Sequence, residues 1–128
     1  MIEEVRIAVS KFELALETLK SGHLKAATDL ERDGVIQRFE YTFELFWKLL
    51  KIFLEKQGIA AKSPRETFQG AFKLSLYLNE SPLLILLEDR NKTAHVYNRK
   101  IAQDIYSRMG THITTFDTTL LNLKSRSQ

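Results

Sequence analysis

Cysteine is absent from this chain of 128 residues, and the chain has only two prolines and five glycines. The missing cysteines exclude disulfide bonds, a thiol nucleophile and every metal site built on thiolates. No apolar run approaches the roughly 20 residues of a membrane-spanning helix, since the longest covers residues 83–87. The chain also starts with an acidic, amphipathic segment rather than a signal peptide. These features predict a cytoplasmic protein that makes no use of a membrane.

The net charge of +3 conceals an uneven distribution along the chain. Residues 1–58 carry nine Lys and Arg against ten Asp and Glu, whereas residues 59–128 carry ten against six. A basic surface in the second half can attract a polyanion, although charged residues most often form a solvated face. The length and the ordinary content of hydrophobic residues, 44%, predict one folded domain over residues 1–128.

Apolar residues recur at steps of three and four, which is the period of an amphipathic α-helix. A first helix is predicted from Ile2 to near Ser21, and the polar stretch 22–34 follows as a connection or a partly helical segment. A long second helix is predicted from about Asp33 to Gln57, with a C-terminal glycine stop at Gly58. Its apolar residues need two nearly opposite faces, and the second face holds the following residues: Tyr41, Leu45, Leu49 and Ile52. A helix apolar on two sides is buried on both, so we interpret one side as a subunit interface.

The remaining helices are introduced by capping residues. Ser63-Pro64-Arg65-Glu66 has an N-cap serine, a proline at the first helical position and a capping-box glutamate, and this third helix is predicted to carry apolar residues as far as Leu78. Ser81-Pro82 begins a fourth helix that ends around Ala94. Asn98 caps a fifth, with a candidate kink at Gly110. The pattern predicts an all-α protein, a four-helix up-and-down bundle with one additional short helix.

The most distinctive polar cluster lies between the fourth and fifth helices, over residues 88–98. Groups at a helix end reach solvent while they stay anchored to a rigid element, so this is the candidate functional site. A purely structural interpretation also stands. Arg90 and Lys92 can be solvated charges at the helix terminus, and His95 can interact favourably with the negative end of the helix dipole. Tyr97 can pack its ring on the protein with its hydroxyl directed outward.

Within this cluster, Arg90-Asn91-Lys92-Thr93-Ala94-His95-Val96-Tyr97 resembles the Arg-x4-His-x-Tyr motif of HepT-type proteins. These belong to the HEPN superfamily and have long been labelled nucleotidyltransferase substrate-binding proteins. Residues 35–48 of the long helix, residues 63–66 and residues 87–91 resemble the same family, in the same order. The resemblance therefore covers nearly the whole chain. It implies a helical bundle that forms a homodimer and has an MntA-type minimal nucleotidyltransferase as its partner.

The resemblance also implies an activity. Characterised pairs of this kind are toxin–antitoxin systems, in which the HEPN protein is a metal-independent endoribonuclease toxin and the nucleotidyltransferase neutralises it by adenylylation (AMPylation) of the motif tyrosine. On this chain the catalytic pair would be Arg90 and His95, and the modified residue would be Tyr97. Asn91 and Lys92 would support them. The resemblance implies RNA as substrate, with no metal, no cofactor and no DNA.

Elementary chemistry is compatible with that expectation. Cleavage of RNA by its own 2′-hydroxyl needs a base, an acid and a cation on the phosphate, which histidine and arginine can provide. One protomer has a single motif histidine, so a two-fold dimer would supply the second. On a regular helix Arg90 and His95 would point ~140° apart, so either the helix ends between them or they converge across the dimer. Glu40 and Glu44 are candidates to orient Arg90.

A metal site is a less favoured interpretation of the same polar cluster. Glu88, Asp89 and His95 carry suitable ligand atoms, but their spacing fits no familiar site. The other two histidines, His23 in the polar connection and His112 on a helix, are interpreted as structural or solvated.

Two other functions compete with the ribonuclease. The first is a non-catalytic subunit that presents substrate to a nucleotidyltransferase, and the second is a helical interaction protein without chemistry. An intact Arg-x4-His motif argues mildly against the first, since an adaptor has no need of it. A triad of Ser81, His95 and Asp104 lacks a nucleophile elbow.

Overall fold

The computed structural model describes residues 1–127, which form six α-helices and one short 3₁₀ turn. In chain order they are α1 Glu3–Lys25, α2 Asp29–Lys56, α3 Pro64–Lys73, α4 Ser81–Lys92, the 3₁₀ turn Thr93–His95, α5 Arg99–Ser107 and α6 Met109–Arg126. No strand occurs within the described residues, and the predicted all-α class is confirmed. Helices α1 and α2 pack along each other as a long hairpin, against which α3, α5 and α6 lie. Within this described part, no helix is both long and apolar enough to cross a membrane.

The core is built on phenylalanine rings. Phe116 of α6 lies 4.9 Å from Phe46 and 6.2 Å from Phe39 of α2, and 5.6 Å from Phe12 of α1, measured between ring centroids. All four side chains are fully buried. Such close aromatic packing fixes α2 against α1 and α6, so α2 is a rigid support for the groups that pack on its polar side.

The boundary between the first two helices differs from the prediction. Helix α1 continues through Gly22 to Lys25, because this glycine serves a close approach instead of a helix stop. A Cβ atom at Gly22 would lie 2.7 Å from the guanidinium of Arg38 on α2, so a larger residue would displace this side chain, which donates to the Thr18 carbonyl of α1 at 2.8 Å. His23 therefore lies inside α1, with its ring 5.6 Å from that of Tyr106, and not in a polar connection.

Helix α2 begins at Asp29, four residues earlier than predicted, because Thr28 forms a capping box with Glu31. The Thr28 hydroxyl oxygen accepts from the Glu31 backbone N–H at 3.1 Å, and the Glu31 carboxylate accepts from the Thr28 backbone N–H at 3.0 Å. Each bond satisfies a donor that the first helical turn leaves free.

Replacing Thr28 with alanine is expected to lower the free energy of unfolding by about 1 kcal/mol, since an N-cap side chain is lost. Urea denaturation measures the change. Thr118→Ala is the matched control, because this exposed threonine lies inside α6, where alanine has the better helix propensity. Equal losses of stability in both variants would contradict the role of the cap.

Three predicted helix signals are confirmed. Gly58 adopts φ +82° and ends α2, while the next residue, Ile59, donates back to the Leu54 carbonyl at 2.9 Å. This is the bonding pattern of a Schellman cap. The Ser63 hydroxyl oxygen caps α3, and the Asn98 side chain caps α5.

The predicted end of the third helix and the predicted course of the fifth were wrong. Helix α3 ends at Lys73, and Leu78, predicted on its apolar face, is fully exposed beyond it. The predicted fifth helix is two helices, divided at Arg108 instead of at Gly110. The side chain of Arg108 is tied to a carboxylate of α4, as described below, and Gly110 lies within the first turn of α6.

The second apolar face of α2 is only partly covered by α1. Leu49 is buried, whereas Tyr41 is 40% exposed and Leu45 and Ile52 are half-buried. Together with Ile7 of α1, which is 44% exposed, these side chains leave an apolar surface open to solvent.

Candidate functional site

The polar cluster lies where α4 gives way to α5. Helix α4 ends at Lys92 and the 3₁₀ turn Thr93–His95 follows, so the regular helix ends between Arg90 and His95. This is the first of the two alternatives that the sequence left open. The Thr93 hydroxyl donates to the Arg90 carbonyl at 2.7 Å, which closes the end of the helix.

Arg90 extends from the last turn of α4 toward the polar side of α2. Its guanidinium lies 3.5 Å from the Glu40 carboxylate and 3.5 Å from the Glu44 carboxylate, and donates to the Thr93 hydroxyl oxygen at 2.9 Å. The indole N–H of Trp47 donates to Glu44 at 3.1 Å and so orients this carboxylate. Both glutamates that the sequence offered as partners of Arg90 thus lie in contact with it. The side chain of Arg90 remains 29% exposed, so an anion from solvent can reach it.

His95 and Tyr97 form a second, exposed group beside this one. The Tyr97 hydroxyl lies 3.5 Å from His95 Nδ1, which is long for a hydrogen bond, and the two rings meet edge to face at 6.0 Å. Tyr97 is 82% exposed, and Asn91 and Lys92 are also exposed. Over residues 1–127 no hydrogen bond joins Arg90 to His95. The chain thus presents the motif as two neighbouring groups, an arginine held by carboxylates and a free histidine–tyrosine pair.

The turn that carries this pair is attached to α2. The Arg99 guanidinium, at the start of α5, donates to the Asp33 carboxylate at 2.9 Å and to the Val96 carbonyl at 2.9 Å. These bonds join the turn to α2, the helix that also holds Arg90. Both groups of the motif are therefore positioned by the same rigid helix.

A buried ionic cluster directly behind the site escaped the sequence analysis. Asp89 is 1% exposed, and Arg108 donates to it through two nitrogens at 2.8 Å each. His112, also 1% exposed, lies with Nε2 at 2.6 Å from the same carboxylate and stacks on Phe39. We call these three residues, Asp89, Arg108 and His112, the Asp89 cluster. A signal was present, because Asp89 and His112 each interrupt an apolar stripe, three residues after Leu86 and three after Met109.

The Asp89 cluster keeps its carboxylate ionised. Burial raises the pKa of Asp89, but the hydrogen bonds from His112 and Arg108 outweigh burial, so the pKa lies below its ordinary value. The hydrogen bond between Arg108 and Asp89 in turn raises the pKa of Arg108. A charged group that is buried but fully paired contributes to stability only while it keeps its charge.

An acid-dependent loss of stability follows from the lowered pKa of Asp89. Its contribution is complete above the unfolded pKa of about 3.9 and disappears as the pH falls through the lower folded value. Asp89→Asn is expected to cost about 2 kcal/mol at pH 7, and this difference from wild type should shrink below about pH 4. Urea denaturation between pH 3 and 8 measures it.

The matched control is Asp117→Asn, which removes an exposed pair with Lys20 and should have a smaller effect at every pH. Parallel loss of stability in wild type and Asp89→Asn from pH 5 to 3 would contradict the prediction.

The alternative chemistries find no support in this geometry. Asp89 points into its own buried cluster while His95 is exposed, and within residues 1–127 no three His, Asp or Glu side chains are grouped closely enough to hold a metal ion. Ser81 begins α4 and His95 lies beyond its end, so the helix separates them by about 16 Å. His112, interpreted from sequence as structural or solvated, is structural and buried.

Comparison with known proteins places the chain in a family. A Haemophilus influenzae protein called probable ribonuclease HepT is 26% identical over 100 residues, which cover 74% of this chain and 68% of that protein. A Thermus thermophilus protein of known crystal structure superposes with a TM-score of 0.83 and 37% identity, covering 88% of this chain and 98% of its own.

A second solved structure supports the fold. It is a Haemophilus influenzae protein described as having the fold of a substrate binding domain of a nucleotidyltransferase, with a TM-score of 0.70, 20% identity and coverage of 97% and 99%. At this identity the likeness concerns the fold alone. The model of the family described as "Nucleotidyltransferase substrate binding protein like" matches residues 1–125. The chain therefore belongs to the nucleotidyltransferase substrate binding protein-like family.

Proposed function

We propose that this protein is a HepT-like, metal-independent endoribonuclease, the toxin of a toxin–antitoxin pair whose nucleotidyltransferase neutralises it by adenylylation of Tyr97. The observation that carries the proposal is the exposed pair of His95 and Tyr97 on the turn that directly follows Arg90, which Glu40 and Glu44 hold. A histidine, an arginine open to an anion and a modifiable tyrosine thus occupy one surface.

The proposed reaction uses the substrate's own nucleophile. A base removes the proton of the 2′-hydroxyl, the 2′-oxygen bonds to phosphorus, and the bond to the 5′-oxygen breaks while an acid protonates that oxygen. The products are a 2′,3′-cyclic phosphate and a 5′-hydroxyl. His95 transfers protons near neutral pH, and Arg90 stabilises the charge that develops on the phosphate oxygens.

The two proton transfers call for a second histidine, which we assign to a second copy of the chain in a homodimer. The partly exposed apolar face of α2, with Tyr41 at 40% exposure, is suited to such an interface. A two-fold axis would contribute Arg90 and His95 twice.

Adenylylation of Tyr97 would act on His95 directly. The Tyr97 hydroxyl, where the AMP group would be attached, lies 3.5 Å from His95 Nδ1. A bulky anion there would cover the histidine and compete with the RNA phosphate for Arg90 and Lys92.

Expression of the protein with and without an MntA-type nucleotidyltransferase tests the proposal. Alone, the wild type should slow growth and cleave RNA. With the active partner and ATP it should gain the mass of one AMP group on Tyr97 and lose both effects. Tyr97→Phe is the matched variant, since it keeps the ring and removes the acceptor oxygen, and it should not be modified. A wild type that neither slows growth nor cleaves RNA would overturn the ribonuclease proposal.

That outcome would favour the second candidate function, a non-catalytic subunit that presents substrate to a nucleotidyltransferase. The family's description favours it. The same expression experiment distinguishes the two, because a presenting subunit alters the partner's product without cleaving RNA itself.

A further inference from the structure

We propose that the Asp89 cluster positions the catalytic motif, by fixing the rotation of α4 that aims Arg90 at α2 and by joining the two ends of the motif segment, residues 90–107. This inference rests on the proposed function for its catalytic consequence. The three members of the cluster are positioning residues, because their polar groups bond to one another and not to the side chains of Arg90, His95 or Tyr97.

The cluster closes the motif segment at its base. Asp89 directly precedes Arg90, and Arg108 follows the last residue of α5. Their paired hydrogen bonds of 2.8 Å join residues 19 positions apart. Every residue of the motif lies between these two anchors. A bidentate arginine–carboxylate pair constrains both distance and plane, so it holds the ends of the segment in one orientation.

The same contacts set the rotation of α4 about its axis. Adjacent residues on a helix point about 100° apart. With Asp89 directed at α6 and α5, Arg90 is directed at Glu40 and Glu44 of α2. The outer surface of a helix lies roughly 6 Å from its axis, so a rotation of about 10° moves a side chain there by about 1 Å. A displacement of that size can cost about 100-fold in rate when a group must meet a transition state.

The Asp89 cluster also packs against α2, the helix that carries Glu40 and Glu44. The His112 ring stacks on Phe39 of α2 at 5.1 Å, and Phe39 immediately precedes Glu40. The carboxylates that hold Arg90 thus belong to the same helix, α2, on which the Asp89 cluster packs. Burial keeps water from competing with the anchor, since Asp89 and His112 are each 1% exposed.

The orientation of Arg90 offers a readout that does not depend on catalysis. Its Nε atom is buried and has no hydrogen-bond partner among residues 1–127. Because burial keeps water away from this atom, its N–H should exchange slowly with solvent. Nitrogen-15 NMR can follow this exchange, with the signal assigned through its loss in Arg90→Lys. We expect exchange to become at least tenfold faster in Asp89→Asn and in Arg108→Lys, while the core amide of Phe12 keeps its protection.

The catalytic readout uses the same variants on a single-stranded RNA, at temperatures where circular dichroism shows each to be folded. We expect kcat to fall by about 10- to 100-fold, with KM within twofold of wild type. Arg108→Lys keeps the charge at a partly exposed position, so it provides a folded variant if Asp89→Asn is too unstable. Thr119→Val is the matched control. It removes a part-buried hydrogen bond between α6 and Tyr77 and should change neither readout.

The outcomes separate this inference from the proposed function. Unchanged exchange at Arg90 in both folded variants, or equal acceleration in Thr119→Val, overturns the positioning role whether or not the protein cleaves RNA. An unchanged kcat in both variants of an active enzyme also overturns it. A wild type without ribonuclease activity defeats the proposed function, while the exchange measurement still decides whether the cluster orients Arg90.

Discussion

Replacing His95 with alanine is expected to reduce RNA cleavage by about 10²- to 10⁴-fold, the usual contribution of a general acid–base group. His95 is exposed and its ring contacts only Tyr97 among the aromatic side chains of residues 1–127. Its removal should therefore leave the fold intact, and the melting temperature should stay close to that of wild type. In cells, the variant expressed without the partner should no longer slow growth.

His23→Ala is the matched control for that loss. His23 is a half-buried histidine of α1 that packs on Tyr106, and its removal should change the cleavage rate by less than the loss of His95. Cleavage assays with purified protein, at equal folded concentrations, measure both. If His95→Ala retained the wild-type rate, the motif histidine would have no role in proton transfer.

Replacing Arg90 with lysine is expected to reduce kcat by about 10²- to 10³-fold, although the charge is kept. Arginine offers a planar fork that can bind phosphate with two N–H groups while other nitrogens keep their bonds, which a lysine ammonium cannot reproduce. In this structure the guanidinium spans Glu40, Glu44 and Thr93 at once. A lysine would satisfy fewer of these partners and would have no fixed plane toward the substrate.

Arg65→Lys is the corresponding control, because this arginine is exposed on α3 and lies outside the motif. The steady-state rates of both variants on the same RNA make the comparison. A kcat for Arg90→Lys equal to that of Arg65→Lys would show that only the charge at position 90 matters.

The parts of the fold that the sequence predicted are those decided by residues close together in the chain. A serine cap with proline and glutamate behind it, as at Ser63, depends on contacts three or four residues apart. The same holds for Asn98 and for the glycine stop at Gly58. Gly22 shows the limit of local reasoning. Its meaning comes from Arg38 on another helix, so the residue looked like a stop while the helix continued.

The site was predictable to a similar extent and for the same reason. Arg90, His95 and Tyr97 stand out as a short linear motif, and two glutamates on a polar strip of α2 were available to pair with Arg90. The Asp89 cluster was not predicted, because its partners lie 19 and 23 residues away. A carboxylate and a histidine on apolar stripes indicate buried polar groups, but the pattern does not say which groups pair.

Tyr97 is 82% exposed in the folded chain, and this exposure determines how much partner the proposed control requires. A partner that masked the site by binding would be needed in a one-to-one ratio for as long as the toxin persisted. An exposed tyrosine can instead be bound, adenylylated and released by the enzyme. One nucleotidyltransferase can therefore inactivate many copies of the toxin in succession. Under the proposed function, a small amount of antitoxin protects the cell from a larger pool of finished toxin.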